Sequence, residues 1–583
     1  MNYPVWYLPE IGGGLLMVLI AVTHVFVSHF AVGGGLYLVA TEHRARRAND
    51  FEMLEFLKKH TKFFMLVSMV YGGVTGVGIW FTIGLIQPDA TSDLIHAFVF
   101  GWAAEWVWFL VEIVALLVYY YRFDSLDERT HLAVGWIYFV AAWMSLFLIN
   151  GIIDFMLTPG EWLQNHNFWS AFFNPTFWPS LLFRFAFGTL LAGVYAFFTT
   201  AKVSSISFRL RMTRYSSQWC LISLLVVLVA GAWYVAALPS GSQALFALSP
   251  TIRHSVLVGA AGLLVFSVLV TLFTFLKPSW HNMGIAILVA VCSFLVLSAF
   301  EWIREADRRP YVINNYRYSN GIAVTDVTQL NQGFLAACRW SPIAEVTPDN
   351  VMQAGQLLFK FQCYACHTLD GVNNDIRPRT ASASFNGMVS YLVTMHEKRP
   401  FMPPFVGTEL ERKALAAYLV GELHGKEAPV FAPPRVQSPG EVLFEKHSCS
   451  MCHAAQLVFD WAQGQSVESL EQGLSTLSQI DGSMKDFAGS AQERRQLADY
   501  LLAPQDPVMP TLDGRQLLDD QCVMCHDAQL TVDWAAALSP EQIRQGLLTL
   551  SQINSSMEDF SGSEAQLDAL VAYLERAGKE GVQ

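Results

Sequence analysis

Three things are scarce in this 583-residue chain, and each scarcity removes a class of function. Charge is scarce: 15% of residues are charged, against 53% hydrophobic and 13% aromatic. That balance does not fit a freely soluble chain and calls for membrane spans. Signatures of nucleotide and protease chemistry are missing, with no P-loop, no glycine fingerprint for dinucleotides and no metalloprotease motif. Positive charge is scarce in the second half, where residues from Leu330 onward hold 18 Lys+Arg against 31 Asp+Glu. Such a tail excludes nucleic acid as a partner. It either raises the on-rate of basic protein partners or is a solvated surface. The first 329 residues hold 19 and 18. The length itself calls for several domains.

Cysteine is also sparse, and its placement is informative. Six of the nine cysteines fall in three C-x-x-C-H motifs: Cys363–Cys366–His367, Cys449–Cys452–His453 and Cys522–Cys525–His526. C-x-x-C-H is the attachment signal for c-type haem, with two thioethers to the porphyrin and the His as axial ligand. The competing reading, a zinc or redox pair, does not account for three copies each followed by His. A second repeat lies beneath the first. Each motif is followed by Met, then Phe three, Gly five and Tyr sixteen residues later, beginning at Met402, Met484 and Met557. A Met so placed closes the sixth coordination position of the iron; the plain alternative is a core filler. Met484 and Met557 each lie 31 residues after their His, which points to duplication. Met509 is a rival to Met484. The stretch resembles three tandem class I cytochrome c domains, and Met402-Pro403-Pro404-Phe405 is similar to that family's Met-ligand segment.

The apolar part, Ile11 to Phe300, reads as eight transmembrane helices near 11–40, 63–87, 95–121, 131–157, 180–201, 217–238, 255–276 and 282–300. The first is too long and plainly flanked for a cleaved signal peptide. The loops after helices one, three, five and seven carry 13 cations, whereas those after two, four and six carry only Arg253. The basic side faces the cytoplasm. An even number of spans then puts both termini outside, which in a bacterium is the periplasm, where c-type haem is attached. The expected architecture is all-α: a bundle at 1–305, a connector at 306–349, and cytochrome c domains at 350–428, 436–504 and 511–578. Trp162, Trp169 and Trp178 are expected at the membrane interface, Cys220 and Cys292 within helices, and Cys338 as an odd thiol.

Ionisable residues inside the apolar runs are functional candidates by default. They are His24, His29, Glu105, Glu112, Asp154 and Arg184, with Glu301 and Glu305 at the edge. An imidazole such as His24 among carboxylates binds haem iron or relays protons. The alternative is structural pairing, Arg184 with a Glu for example.

Gly12-Gly13-Gly14 through Glu42, Glu105 and Glu112 ahead of Tyr119-Tyr120-Tyr121, Asn150-Gly151, Asn174-Pro175 and Glu305-Ala306-Asp307-Arg308-Arg309-Pro310 together resemble cytochrome bd oxidase subunit I over about 10–315. The resemblance implies one or two non-covalent haems of b or d type, with His24 an axial ligand of one. Glu305 would ligate another, Arg308 would sit near a propionate, Glu105 beside the haem pair and Glu112 on the proton route. The chain departs from that family in telling places. The low-spin haem ligands are replaced by Arg184 and Ser255, the quinol loop shrinks to Pro239–Arg253, and the ninth helix is absent.

These departures set the functional expectation: a bd-like oxygen reductase subunit in a bacterial inner membrane, fed through three covalent haems c by a periplasmic cytochrome c or similar donor. Lipid and a second membrane subunit, or further copies of the chain, are its expected neighbours. Quinol oxidation with export of electrons through the tail, and a non-catalytic membrane-anchored conduit, are the alternatives.

Overall fold

The computed structural model describes the chain except residues 1–2, 240–241, 244–249, 432–437, 447–454, 481–485, 504–513, 522–527, 537, 554–558, 561–563 and 581–583. The described residues are helical almost throughout, with one two-stranded hairpin. They fall into two compact units, Met1–Arg377 with Leu392–Leu415, and Pro378–Tyr391 with Ala416–Gln583.

The first unit contains eight helices long and apolar enough to cross a membrane. They are α1 (Gly13–Arg47), α2 (Phe51–Ile86), α3 (Val99–Tyr121), α4 (Glu128–Phe155), α5 (Phe177–Thr200), α6 (Ile206–Ala237), α7 (Ile252–Leu276) and α8 (Met283–Asp307). All eight expected spans are present. α1 continues to Arg47, beyond its apolar run, as Glu42 pairs with Arg46 one turn on at 2.6 Å. The expected loop after α2 instead forms a short helix, Pro88–Ala97, with Pro88 at its first turn, where a missing N–H costs nothing.

α5 is the central helix, buried over most of its length. Its approach to α1 depends on two glycines. A Cβ on Gly33 would overlap the carbonyl of Gly188, and one on Gly188 would meet the carbonyl of His29. Small residues at such crossings let helix backbones pack closely where lipid gives no hydrophobic drive. α2 carries a π-helical turn at Leu66–Gly72, a distortion often found at functional sites.

Alternation of direction puts the start of α1, the end of α8 and the hairpin on one side of the bundle, here the tail side. The cationic ends, with Arg46 and Arg122, lie on the other. The hairpin strands, β1 (Tyr311–Ile313) and β2 (Arg317–Tyr318), follow α8 directly. Trp162 is not an interface anchor: it is buried against Phe155 and Tyr316 at 4.9 and 5.0 Å between ring centroids. Trp169 and Trp178 are exposed. Cys220 is fully buried and its thiol faces the carbonyl of Leu190. Cys338 is buried too.

The second unit shows the duplication physically. Two cores repeat at an interval of 73 residues, pairing Phe459 with Val532, Ala462 with Ala535, Leu470 with Ile543, Phe487 with Phe560 and Leu501 with Leu574, all buried. Ser466 and Ser539 cap equivalent helices. Phe487 and Phe560 each donate a backbone hydrogen bond of 2.9 Å, to Leu474 and Leu547 respectively. Gly440 and Gly514 pass so close to a crossing helix that a Cβ would overlap the carbonyls of Gln496 and Ala569. The attachment motifs at Cys449, Cys452 and His453 and at Cys522, Cys525 and His526, with Met484, Met557 and Met509, lie outside the described residues.

Candidate haem sites and the charged groups of the bundle

The helix Val351–Leu358, α9, runs through a π-helical turn at Phe359–Cys363 into the first C-x-x-C-H loop. Cys363 and Cys366 are free, half-buried thiols. His367 Nδ1 is 3.2 Å from the carbonyl of Asn374, to which it must donate. The lone pair is thereby placed on Nε2, the tautomer an iron ligand needs. Asn374 itself donates to the carbonyl of Cys366 at 2.7 Å.

The Met402 loop is held to the same turn by Gln362, one residue before Cys363. Its amide donates to the carbonyl of Val406 and accepts from its N–H, at 2.6 and 3.0 Å. His396 Nδ1 is 2.7 Å from the carbonyl of Met402. Gln362, Asn374 and His396 are the residues sequence reading missed here. Each acts through a backbone group, which leaves no motif. The residues present fit a covalently attached haem.

In the bundle, the membrane candidates do not form one cluster. His24 Nδ1 is 3.1 Å from Thr75 Oγ1, whose own proton goes to the carbonyl of Tyr71 at 2.7 Å. The imidazole therefore donates from Nδ1 and keeps a lone pair on Nε2. Thr75 and Gly76, which faces the His24 ring, follow directly on the π-helical turn of α2. His29 Nδ1 is 2.7 Å from the carbonyl of Val25, and its buried Nε2 has no hydrogen-bond partner among the described residues.

Arg184 is fully buried and pairs with Glu301 at 3.1 Å; Arg304 closes on the other oxygen of Glu301 at 2.8 Å. The structural pairing considered for Arg184 is thus present. Around it, however, Arg184 Nη2, both oxygens of Asp154 and the hydroxyl of Tyr234 have no hydrogen-bond partner among the described residues. Asp154 is within electrostatic reach of Arg184, Arg304 and Glu301. Glu305 pairs with Arg308, and the buried Nε of Arg308 has no partner among the described residues. Buried polar atoms are normally satisfied. A group of orphans around two guanidinium groups on this side fits a polar, acid-bearing ligand such as a haem with its propionates.

Glu105 and Glu112 share a face of α3, about 10 Å apart at two turns. Glu112 accepts from the Tyr138 hydroxyl at 3.3 Å. Seven residues further along α3, Tyr119 donates to Glu42 at 2.6 Å. Seven residues before Tyr138 on α4, His131 bonds Glu42 at 2.7 Å through Nδ1 and the carbonyl of Tyr119 at 2.9 Å through Nε2. Glu42, Tyr119 and His131 form a closed, buried set towards the basic end of the bundle. His131 was missed as a candidate, though its seven-residue spacing from Tyr138 was visible.

Two family models match the chain, one over the bundle and one over the tail. Residues 15–239 match the family cytochrome bd terminal oxidase subunit I. Residues 350–419 and 510–574 match the family cytochrome c oxidase, cbb3-type, subunit III. A solved structure, the bd oxidase from Geobacillus thermodenitrificans, is similar with a TM-score of 0.45 and 15% identity, over 52% of this chain and 87% of that one. Among curated proteins none matches. The chain therefore joins a membrane domain similar to cytochrome bd oxidase subunit I to helical domains similar to cytochrome c, and it is a multi-pass, membrane-bound haem electron-transfer protein.

Proposed function

We propose that the protein is a bd-like oxygen reductase subunit that receives electrons through covalent haems c in the periplasm. The observation that carries this reading is the seat of the first haem-attachment loop. It lies against the segment that follows α8, with Cys366 Sγ 3.9 Å from Ser319 Oγ and the Ser319 N–H bonded to the carbonyl of Pro310 at 2.9 Å. Pro310 is two residues past Arg308 and five past Glu305. In this reading an electron inlet stands beside Glu305, the proposed haem ligand, and Arg308, its proposed propionate partner.

In this reading the haem groups supply the redox chemistry, and the chain supplies ligands, charge and access. Cys363, Cys366, His367 and Met402 hold one haem. Cys449, Cys452, His453 and Met484, and Cys522, Cys525, His526 and Met557, hold two more. His24 and Glu305 ligate the non-covalent haem or haems of b or d type. Arg308 neutralises a propionate. Glu112 and Glu105 pass protons along one face of α3. A second membrane subunit or further copies of the chain complete the assembly in the bacterial inner membrane.

Oxygen consumption by the purified protein with reduced cytochrome c tests the reading, together with haem quantitation. Three covalent haems and one or two extractable ones, with oxygen uptake, are expected. Three covalent haems alone would overturn the catalytic part. Cytochrome c reduction driven by quinol would reverse the direction of flow.

A further inference from the structure

The first haem-attachment loop is gripped from two sides by parts of the chain that are far away in sequence. On one side is the short segment before α1. The N–H groups of Leu369 and Val372 donate to the carbonyls of Pro9 and Glu10, at 3.1 and 2.9 Å. The Leu8 N–H donates to the Tyr364 hydroxyl. The Tyr7 and Tyr364 rings meet at 4.5 Å, with Lys360 above Tyr7 at 5.6 Å. Two glycines permit this approach: a Cβ on Gly371 would overlap the carbonyl of Glu10, and Gly12, at φ 71°, lies against Thr368.

On the other side is the hairpin. Ser319 touches Cys366 and is bonded to Pro310, the Gln87 amide donates to the Ser319 carbonyl, and the Tyr311 N–H bonds the Arg308 carbonyl at 3.0 Å. Tyr311 and Tyr318 stack at 4.9 Å. Neither backbone pairing nor the glycine approach serves ligation of iron within the loop itself. Both fix where the loop sits on the bundle.

We infer that Tyr7–Gly12 and the Tyr311–Ser319 hairpin form a clamp that fixes the Cys363–Cys366 loop on the bundle, so that its haem is the one exchanging electrons with the membrane haem. The clamp rests on the reading that the bundle holds haem near Glu305; it does not depend on the direction of flow. One electron crosses per event, one iron losing it and the other gaining it, with no proton or bond exchanged. Main-chain groups held in fixed register keep that separation constant, which is the positioning a transfer step needs.

The test uses the full-length protein with its haems and two substitutions, Gly371→Val and the milder Tyr7→Ala. Two quantities are read: hydrogen–deuterium exchange at Leu369 and Val372, and the rate at which the membrane haem is reduced after flash reduction of the c haems. Both amides are expected to be protected in the parent protein and to exchange freely in the variants. Transfer to the membrane haem should slow at least about tenfold, equivalent to about 1.4 kcal/mol in the barrier, with covalent haem content unchanged. Unprotected amides in the parent, or an unchanged transfer rate in a variant whose amides exchange freely, would overturn the clamp. If Gly371→Val fails to load haem, Tyr7→Ala carries the test. Absence of any extractable haem from the parent would instead overturn the underlying reading, and it would show separately in the haem count.

Discussion

The bundle contains two buried groups of charges that look alike in sequence and differ in how fully they are paired. Towards the basic end, Glu42 accepts from Arg46 and His131 on one oxygen and from Tyr119 on the other, at 2.6, 2.7 and 2.6 Å. Both nitrogens of His131 face acceptors, Glu42 and the carbonyl of Tyr119. No polar atom of that set is left over among the described residues. Towards the tail side, Arg184, Glu301 and Arg304 are paired, yet they are ringed by the unpartnered atoms of Asp154, Tyr234, His29 and Arg184 itself. A saturated network ties three helices together and needs nothing further. An unsaturated one costs free energy for each orphan, and it persists where another molecule completes it.

The most damaging way to break the comparison is Glu301→Ala. It leaves two buried guanidinium groups without their carboxylate, at a cost of about 3–5 kcal/mol, read as loss of folded protein in a thermal melt. The sharper form is the triple change Arg184→Met, Glu301→Leu and Arg304→Met, which leaves neither guanidinium unpaired. If the group were only structural, stability would be nearly restored and extractable haem would stay constant. We expect stability to recover and extractable haem to fall, measured by acid extraction of the purified protein. Next in size is Glu305→Ala: one equivalent of extractable haem is lost while covalent haem is retained. Retention of that equivalent would remove Glu305 as a ligand.

At the saturated end, Glu42→Gln is expected to cost about 1.5–3 kcal/mol, the range for hydrogen bonds to a charged group, with the haem spectrum unchanged. A shifted spectrum would mean that the two ends are coupled and that the contrast drawn between them is wrong.

Much of this was legible in the chain because its strongest signals are periodic or covalent. Eight apolar runs and three C-x-x-C-H motifs need no tertiary context. The 73-residue repeat of the second unit was visible as Met484 and Met557 and returns as paired core residues such as Phe487 and Phe560. What was not legible depends on which helix faces which. Arg184 read equally well as a lost haem ligand or as a structural cation until Glu301, on another helix, was placed against it. Trp162 read as an interface anchor because composition cannot tell a loop over lipid from one folded onto Tyr316. The clamp was invisible for a different reason: backbone carbonyls at Pro9 and Glu10 do its work, and any sequence supplies those. Only Gly371 and Gly12 mark it, and a single glycine in a loop has many explanations.

The smallest predicted effect separates two tyrosines that lose the same atom. Tyr119→Phe removes one of the three donors to Glu42, but Arg46 and His131 remain to hold the carboxylate. The expected cost is about 1 kcal/mol, with haem content and turnover unaltered. Tyr138→Phe removes a hydroxyl that bridges the carbonyl of Ala31 at 3.1 Å and Glu112 at 3.3 Å. A similar loss of stability is expected there, but accompanied by slower turnover if Glu112 carries protons. Equal turnover in the two variants would place Glu112 with Glu42, as a carboxylate that ties helices together and takes no part in the chemistry. Slowing by Tyr138→Phe alone would confine the working acids to the face of α3 that runs from Glu112 to Glu105.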